Sequence, residues 1–219
     1  MLNIAFVQFR YRMDSTMRNH RAPSNKGRRL PPEPLTQDEV RALLRACSEK
    51  TSTGIRNRAL IAVLYRCGLR VSEALSLMPK DCDLRAGTIR VLHGKGDRWR
   101  LVGVDPGAAS LLHAWLNRRQ ALGVTGQHAV FSTARGNGLQ SAYVRNLLKR
   151  LAAQAGIEKR VHPHGLRHTH AYELANEGTP LHVIQQQLGH SSLATTDRYI
   201  RHLNPQQVVA AIRGRTWEA

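Results

Sequence analysis

Carboxylates are scarce in this 219-residue chain, with 15 Asp and Glu against 33 Lys and Arg and a formal net charge of +18. An excess of that size opposes a compact state unless a polyanion offsets it, which makes a basic partner a poor match and nucleic acid a good one. The excess is not confined to a tail. Residues 1–30 carry a net +6, and +12 remains on residues 31–219. Cysteine is also scarce. Cys47, Cys67 and Cys82 are too few and too scattered for a disulfide framework, and Cys67 falls on an apolar helical stripe where it reads as a small buried hydrophobe. No apolar run approaches the ~20 residues of a membrane span. The opening MLNIAFVQFRYRM has too short an apolar run, and no preceding basic region, for a secretory signal. A cytoplasmic protein without membrane association is expected. Aromatics are few at 5%, while a hydrophobic content of 42% suffices for one sizeable core.

Organisation along the chain follows from its breakers and periods. Residues 1–34 read as a basic appendage or linker, since Pro31, Pro32 and Pro34 block a helix there. Thr36-Gln-Asp-Glu39 is a capping box, with Leu35 and Val40 placed for a hydrophobic staple, so a helix is expected to about Glu49. A second spans about 54–67, with Leu60, Val63, Leu64 and Cys67 on one stripe and Gly68 as its stop. A short third helix begins around Arg70. Residues 88–93 and 98–104 are β-prone and joined by Gly94-Lys95-Gly96-Asp97, a hairpin that lifts Lys95 to its tip. Helices resume at about 106–122, 140–154, 163–177, 180–189 and 192–202, with Pro163 and Pro180 as first-turn prolines. The expected fold is mainly α with a small antiparallel sheet, an α+β domain over 35–219 with a tail from about 204.

Chemistry concentrates between Val161 and Ile200. His164 and Arg167, three residues apart at a helix start, share a face near unpaired backbone N–H groups, an arrangement that favours an anion. Arg adds a planar fork matched to two phosphate oxygens. His164 and His168 also have the i, i+4 spacing of metal ligands, with His162 and His170 nearby. No Glu lies between the pair, however, and Arg167 would set a positive charge beside the ion, so no metal or other cofactor is expected. Arg70 follows a Gly-stopped helix, and Glu73 is placed to orient it or simply to favour the helix N-terminus. His190 lies at a Gly-Ser junction between helices, where a capping or core role is as natural as a functional one. Tyr199 comes nine residues later, at a position where tyrosines usually pack in a core. Each signal is weak alone.

Their order is not. Arg70, Lys95, His164-x-x-Arg167, His190 and Tyr199, with the words C-G-L-R-V-S-E-A-L-S-L, H-G-K-G, H-P-H-G-L-R-H-T-H-A, Q-Q-L-G-H-S-S and T-T-D-R-Y, resemble the tyrosine recombinase (phage integrase) family. The resemblance covers about residues 30–210 and implies that family's catalytic-domain fold. It implies that Tyr199 attacks a phosphodiester of double-stranded DNA, leaving a 3′-phosphotyrosine and a free 5′-hydroxyl. Arg70 and Arg167 would clamp the non-bridging oxygens. Lys95 would protonate the leaving oxygen, His164 would accept the phenol proton or hold phosphate, and His190 would hydrogen-bond the phosphate. Neither ATP nor metal is required, and four protomers would assemble on DNA. One departure stands out: only about 34 residues precede the catalytic region, where most family members carry a clamp domain. The rival readings are a truncated DNA-binding remnant, inactive or dependent on another recombinase for the clamp, and a type IB topoisomerase.

Overall fold

The computed structural model describes residues 33–93, 98–189 and Arg213. Residues 1–32, which hold nearly all of the expected appendage, lie outside this set, as do the hairpin tip, the expected helix at 192–202 and the tail from 204 apart from Arg213.

The first helix, α1 (Gln37–Arg45), starts as its sequence dictates. Thr36 Oγ1 accepts from the Glu39 N–H at 3.2 Å, and a Glu39 carboxylate oxygen accepts from the Thr36 N–H at 2.6 Å. Leu35 and Val40 are both buried beside it. The helix ends four residues before Glu49, because Ser48 Oγ accepts from the N–H groups of Lys50 and Thr51 and turns the chain. Thr51 then caps α2 (Ser52–Arg66), which begins two residues earlier than its glycine suggested.

Helix α2 is the axis of the domain. A stripe was expected, yet every residue from Ala59 to Tyr65 is buried, so the helix is enclosed on all sides. It packs against α4 (Pro106–Ala121) and α6 (Pro163–Asn176). Each fully buried Leu or Ile there contributes roughly 1.5–3 kcal/mol relative to exposure. Polar contacts on the same helix fix its orientation. Tyr65 Oη donates to Glu173 of α6 at 2.6 Å, and Arg66 pairs with Asp105, the N-cap of α4, at 2.7 Å and with Glu173 at 3.2 Å.

After α3 (Val71–Ser76) a 3-10 turn, Pro79–Asp81, leads into β1 (Cys82–Asp83), a short strand the sequence pattern did not reveal. It pairs antiparallel with β2 (Thr88–His93), which pairs with β3 (Arg98–Gly103) in the order β1-β2-β3. Ile89, Val91 and Val102 face the core, while Arg90, Leu92, Trp99 and Leu101 face outward. Helix α5 (Ser141–Gln154) closes the core through Val144, Leu147, Leu148 and Leu151.

Helix α6 carries Pro163 at its first turn, as expected, whereas Pro180 is the N-cap of α7 (Leu181–Leu188) and not a residue inside it. Ala171, Leu174 and Ala175 of α6 pack with Ile184 and Leu188 in a small second cluster. That cluster sets the C-terminal end of α7 against α2's stop and against β3. Among the described residues no helix is long and apolar enough to cross a membrane.

Candidate active site

The site forms where α2 stops, α3 starts, β3 passes and α7 ends. Gly68 terminates α2 with φ near +62°, a conformation that costs a side-chain-bearing residue energy. A Cβ there would also stand 2.6 Å from His170 Cδ2 and 2.8 Å from Leu188 Cδ2. This close approach lets three elements meet.

Two residues later Arg70 is the N-cap of α3, and its helix start is completed by Glu73. A carboxylate oxygen of Glu73 accepts from the Arg70 backbone N–H at 2.8 Å, and the other accepts from Arg70 Nη1 at 2.7 Å. Glu73 thus favours the helix N-terminus and orients the guanidinium at once. The Arg70 side chain remains 43% exposed, so this cation stays open to a ligand from solvent.

Glu73 itself is buried and serves more than one arginine. Arg100 of β3 holds both carboxylate oxygens, at 3.0 and 2.9 Å, and Arg167 Nη1 stands 4.0 Å away. Burial pushes the Glu73 carboxyl up, but Arg100's hydrogen bonds, the Arg70 N–H and Arg100's charge outweigh it and hold the pKa at about 2. Three guanidinium groups and one carboxylate leave a local charge of about +2.

The same arginines grip the end of α7. Arg100 Nε donates to the Gln187 carbonyl at 3.3 Å, Arg167 Nη2 to Leu188 at 2.6 Å and Arg70 Nη2 to Gly189 at 3.3 Å. Three consecutive carbonyls at the negative end of a helix are therefore met by cations. The Gln187 side chain adds a staple to β3, accepting from the Gly103 N–H at 2.9 Å and donating to its carbonyl at 3.0 Å. Gly189 caps α7 in the left-handed region, and His190 follows it in the chain.

Arg167 is buried. Only 3% of its side chain is exposed, and its Nη1 donates to the Gly68 carbonyl. A charge held this way, away from water, is screened less than an exposed one. His164 lies on the first turn of α6 and is exposed. Burial of part of the ring lowers its pKa from the ordinary 6.5, and His162, Arg167 and Arg70 lower it further, so the imidazole is neutral at neutral pH. Its ring meets His168 edge-on at 4.7 Å. His162, weighed above as a metal ligand, is the N-cap of α6, its Nδ1 accepting from the Gly165 N–H at 3.0 Å.

Of the candidate residues, Arg70, Glu73, His164 and Arg167 come together. Lys95, His190 and Tyr199 lie outside the described residues. Arg100 and Gln187 escaped the sequence reading. A signal existed for Arg100: strand alternation places it on the inward face, paired across the sheet with buried Val91, where an arginine needs a buried partner.

The chain's residues 33–206 match the model of the phage integrase family. The chain belongs to that family. Among curated relatives it is similar to tyrosine recombinase XerD of Ralstonia nicotianae, 39% identical over 77% of this chain and 55% of that protein. Tyrosine recombinase XerD of Mycobacterium leprae is 41% identical over 81% of this chain and 58% of its own length. The chain thus spans little more than half of those two relatives. Among solved structures, the XerA recombinase superposes with a TM-score of 0.74 at 32% identity, covering 90% of this chain and 70% of that one. The XerH site-specific recombinase, in a post-cleavage complex with palindromic difH substrate, superposes with a TM-score of 0.70 at 32% identity, covering 84% and 54%. The fold of these integrase-family proteins is the α+β arrangement described above.

Proposed function

We propose that this protein is a site-specific recombinase that cuts and rejoins double-stranded DNA through a 3′-phosphotyrosine on Tyr199. The observation that carries this reading is the cluster itself. Arg70, exposed and oriented by Glu73, shares its site with the buried cation Arg167 and a neutral imidazole, His164. Within the phage integrase family that set suits a scissile phosphate. The XerH structures, described as pre-cleavage and post-cleavage complexes with difH substrate, support DNA as the partner.

In this mechanism the phenolic oxygen of Tyr199 attacks phosphorus and the bond to the 5′-oxygen breaks. His164, neutral and able to accept, takes the phenol proton. Lys95 gives a proton to the leaving 5′-oxygen. Arg70 holds a non-bridging oxygen and Arg167 adds its field from beneath, opposing the charge that grows on the phosphoryl group. His190 hydrogen-bonds the same phosphate. The phosphotyrosine conserves the bond energy, so attack by a 5′-hydroxyl rejoins the strand without ATP. Catalysis belongs to the domain from residue 35 onward, with the basic residues before it gripping phosphates, and the working state is a homotetramer on DNA in the cytoplasm. The basic surface gives affinity that falls steeply with salt.

The test is a covalent trap. The chain is incubated with a library of nicked duplexes that lose their 5′-hydroxyl fragment on cleavage, and protein-linked DNA is sequenced and its adduct mapped. An adduct on Tyr199 with an enriched sequence is expected, and Tyr199→Phe is expected to abolish it while sparing most binding. Adducts that persist in Tyr199→Phe would falsify the nucleophile assignment. Binding without an adduct on any duplex favours the non-catalytic DNA-binding module, and supercoil relaxation without recombinant products favours a type IB topoisomerase.

A further inference from the structure

Glu73 presents an electrostatic difficulty for a phosphate site. It orients Arg70 through both its backbone and its side chain, and it stands 4.0 Å from Arg167. A buried carboxylate so close to two cations cancels part of the attraction they offer an anion. Arg100 touches both Glu73 oxygens from the sheet side, and it does so while holding the Gln187 carbonyl. Its side chain is only 11% exposed. The fit is close as well as charged, because a Cβ on Gly189 would stand 2.8 Å from Arg100 Cδ, Cζ and Nε. The end of α7 therefore lies directly on the guanidinium.

We infer that Arg100 is a positioning residue of the cleavage site: its charge offsets Glu73, so that Glu73 can fix Arg70 without cancelling the field of Arg70 and Arg167. This rests on the recombinase reading above and extends it to a residue outside the nucleophile and its phosphate clamp. With Arg100 present the cluster carries three positive charges and one negative. Without it the balance falls by one unit, and Glu73 draws Arg70 and Arg167 toward itself. The proton that His164 is to accept and the one Lys95 is to deliver are unaffected. Only the stabilisation of the phosphoryl charge is lost.

The test uses single-turnover cleavage of a nicked duplex recovered by the covalent trap, alongside duplex affinity and melting temperature. Arg100→Met is expected to slow cleavage about thirtyfold, with affinity changed less than about threefold, the effect of losing one unit charge at an assumed separation of about 8 Å and an effective dielectric of about 20. Arg100→Lys, which restores the charge, is expected to recover cleavage to within about fivefold of the parent rate. The deciding variant is the double substitution Arg100→Met with Glu73→Gln. Removing both charges returns the balance to two positives, so the double variant is expected to cleave about tenfold faster than Arg100→Met. A purely structural role predicts the reverse, since the double variant loses more contacts. Arg100→Met cleaving at the parent rate, or a double variant no faster than the single, overturns the inference. If Arg100→Met does not fold, Arg100→Gln keeps donors for Glu73 while losing the charge and takes its place.

The two readings fail differently. No adduct from the parent chain on any duplex sinks the recombinase reading, whereas an adduct that is indifferent to Arg100 sinks only this inference. Inorganic phosphate supplies a readout independent of cleavage. Titrated against the side-chain N–H signals of Arg70 in arginine-labelled protein, it is expected to bind about tenfold more weakly in Arg100→Met and to recover in the double variant. Equal affinity in all three proteins overturns the proposal.

Discussion

His170 offers a quantitative test of how the site is supported from behind. It sits on α6 three residues after Arg167, 4% exposed, against the Gly68 turn, and neither ring nitrogen has a hydrogen-bond partner among the described residues. Burial, helped by the charges of Arg66 and Arg167 and opposed by that of Asp105, lowers its pKa to about 4. In the unfolded chain the same imidazole titrates near 6.5. A folded pKa below the unfolded one means the unfolded state binds more protons between the two values, so stability is present above pH 6.5 and lost as pH falls towards 4. The linkage relation gives a loss of about 2 kcal/mol at pH 5 and about 3 kcal/mol at pH 4. The perturbation is His170→Leu, which removes the titration and two unsatisfied polar atoms. At pH 7.5 the variant should be neutral or up to about 1 kcal/mol more stable. Guanidinium unfolding of both proteins from pH 7.5 to 4 should then show the variant's advantage growing by about 3 kcal/mol. Other carboxylates titrate in both proteins, so the difference isolates His170. Parallel pH profiles would refute the argument that burial depresses this imidazole.

Other predictions follow from the same contacts. Gly68→Ala meets both a positive φ and the His170 and Leu188 side chains, so a loss of roughly 2–4 kcal/mol is expected by thermal unfolding; an unchanged melting temperature contradicts the packing described. Arg167→Ala leaves the Gly68 and Leu188 carbonyls unmatched in the core and should cost about 3–5 kcal/mol, whereas Arg167→Lys should fold and lower cleavage far more than duplex affinity. Equal losses of cleavage and affinity in Arg167→Lys would make this residue a binding residue only. Because the pKa of His164 is lowered, it stays neutral to more acid pH than an ordinary imidazole. The acid limb of the cleavage pH–rate profile should therefore lie below pH 6.5 and vanish in His164→Gln.

Local signals in the chain were sufficient for most of its elements. The Thr36–Glu39 capping box, the Gly68 stop, Pro163 at the first turn of α6 and the two strands of the hairpin all act over three or four residues, within reach of pattern and spacing. The candidate cations Arg70 and Arg167 were likewise legible, as was the family, because an ordered set of residues with its surrounding words is a property of the chain alone. The strand β1 was not, since two residues carry no period and are held only by pairing with Ile89 and Thr88. Nor was the enclosure of α2, whose outer positions are covered by helices distant in the chain.

What tertiary structure decided is how the charges are arranged. Nothing local says that Arg167 faces inward to the Gly68 and Leu188 carbonyls, or that Arg100, 27 residues from Glu73, shares its carboxylate with Arg70. Sequence determines which charges exist and which helices and strands bear them. Only folding brings α3, β3 and the end of α7 within hydrogen-bonding distance, where low dielectric and short range turn scattered arginines into one coupled cluster of charge.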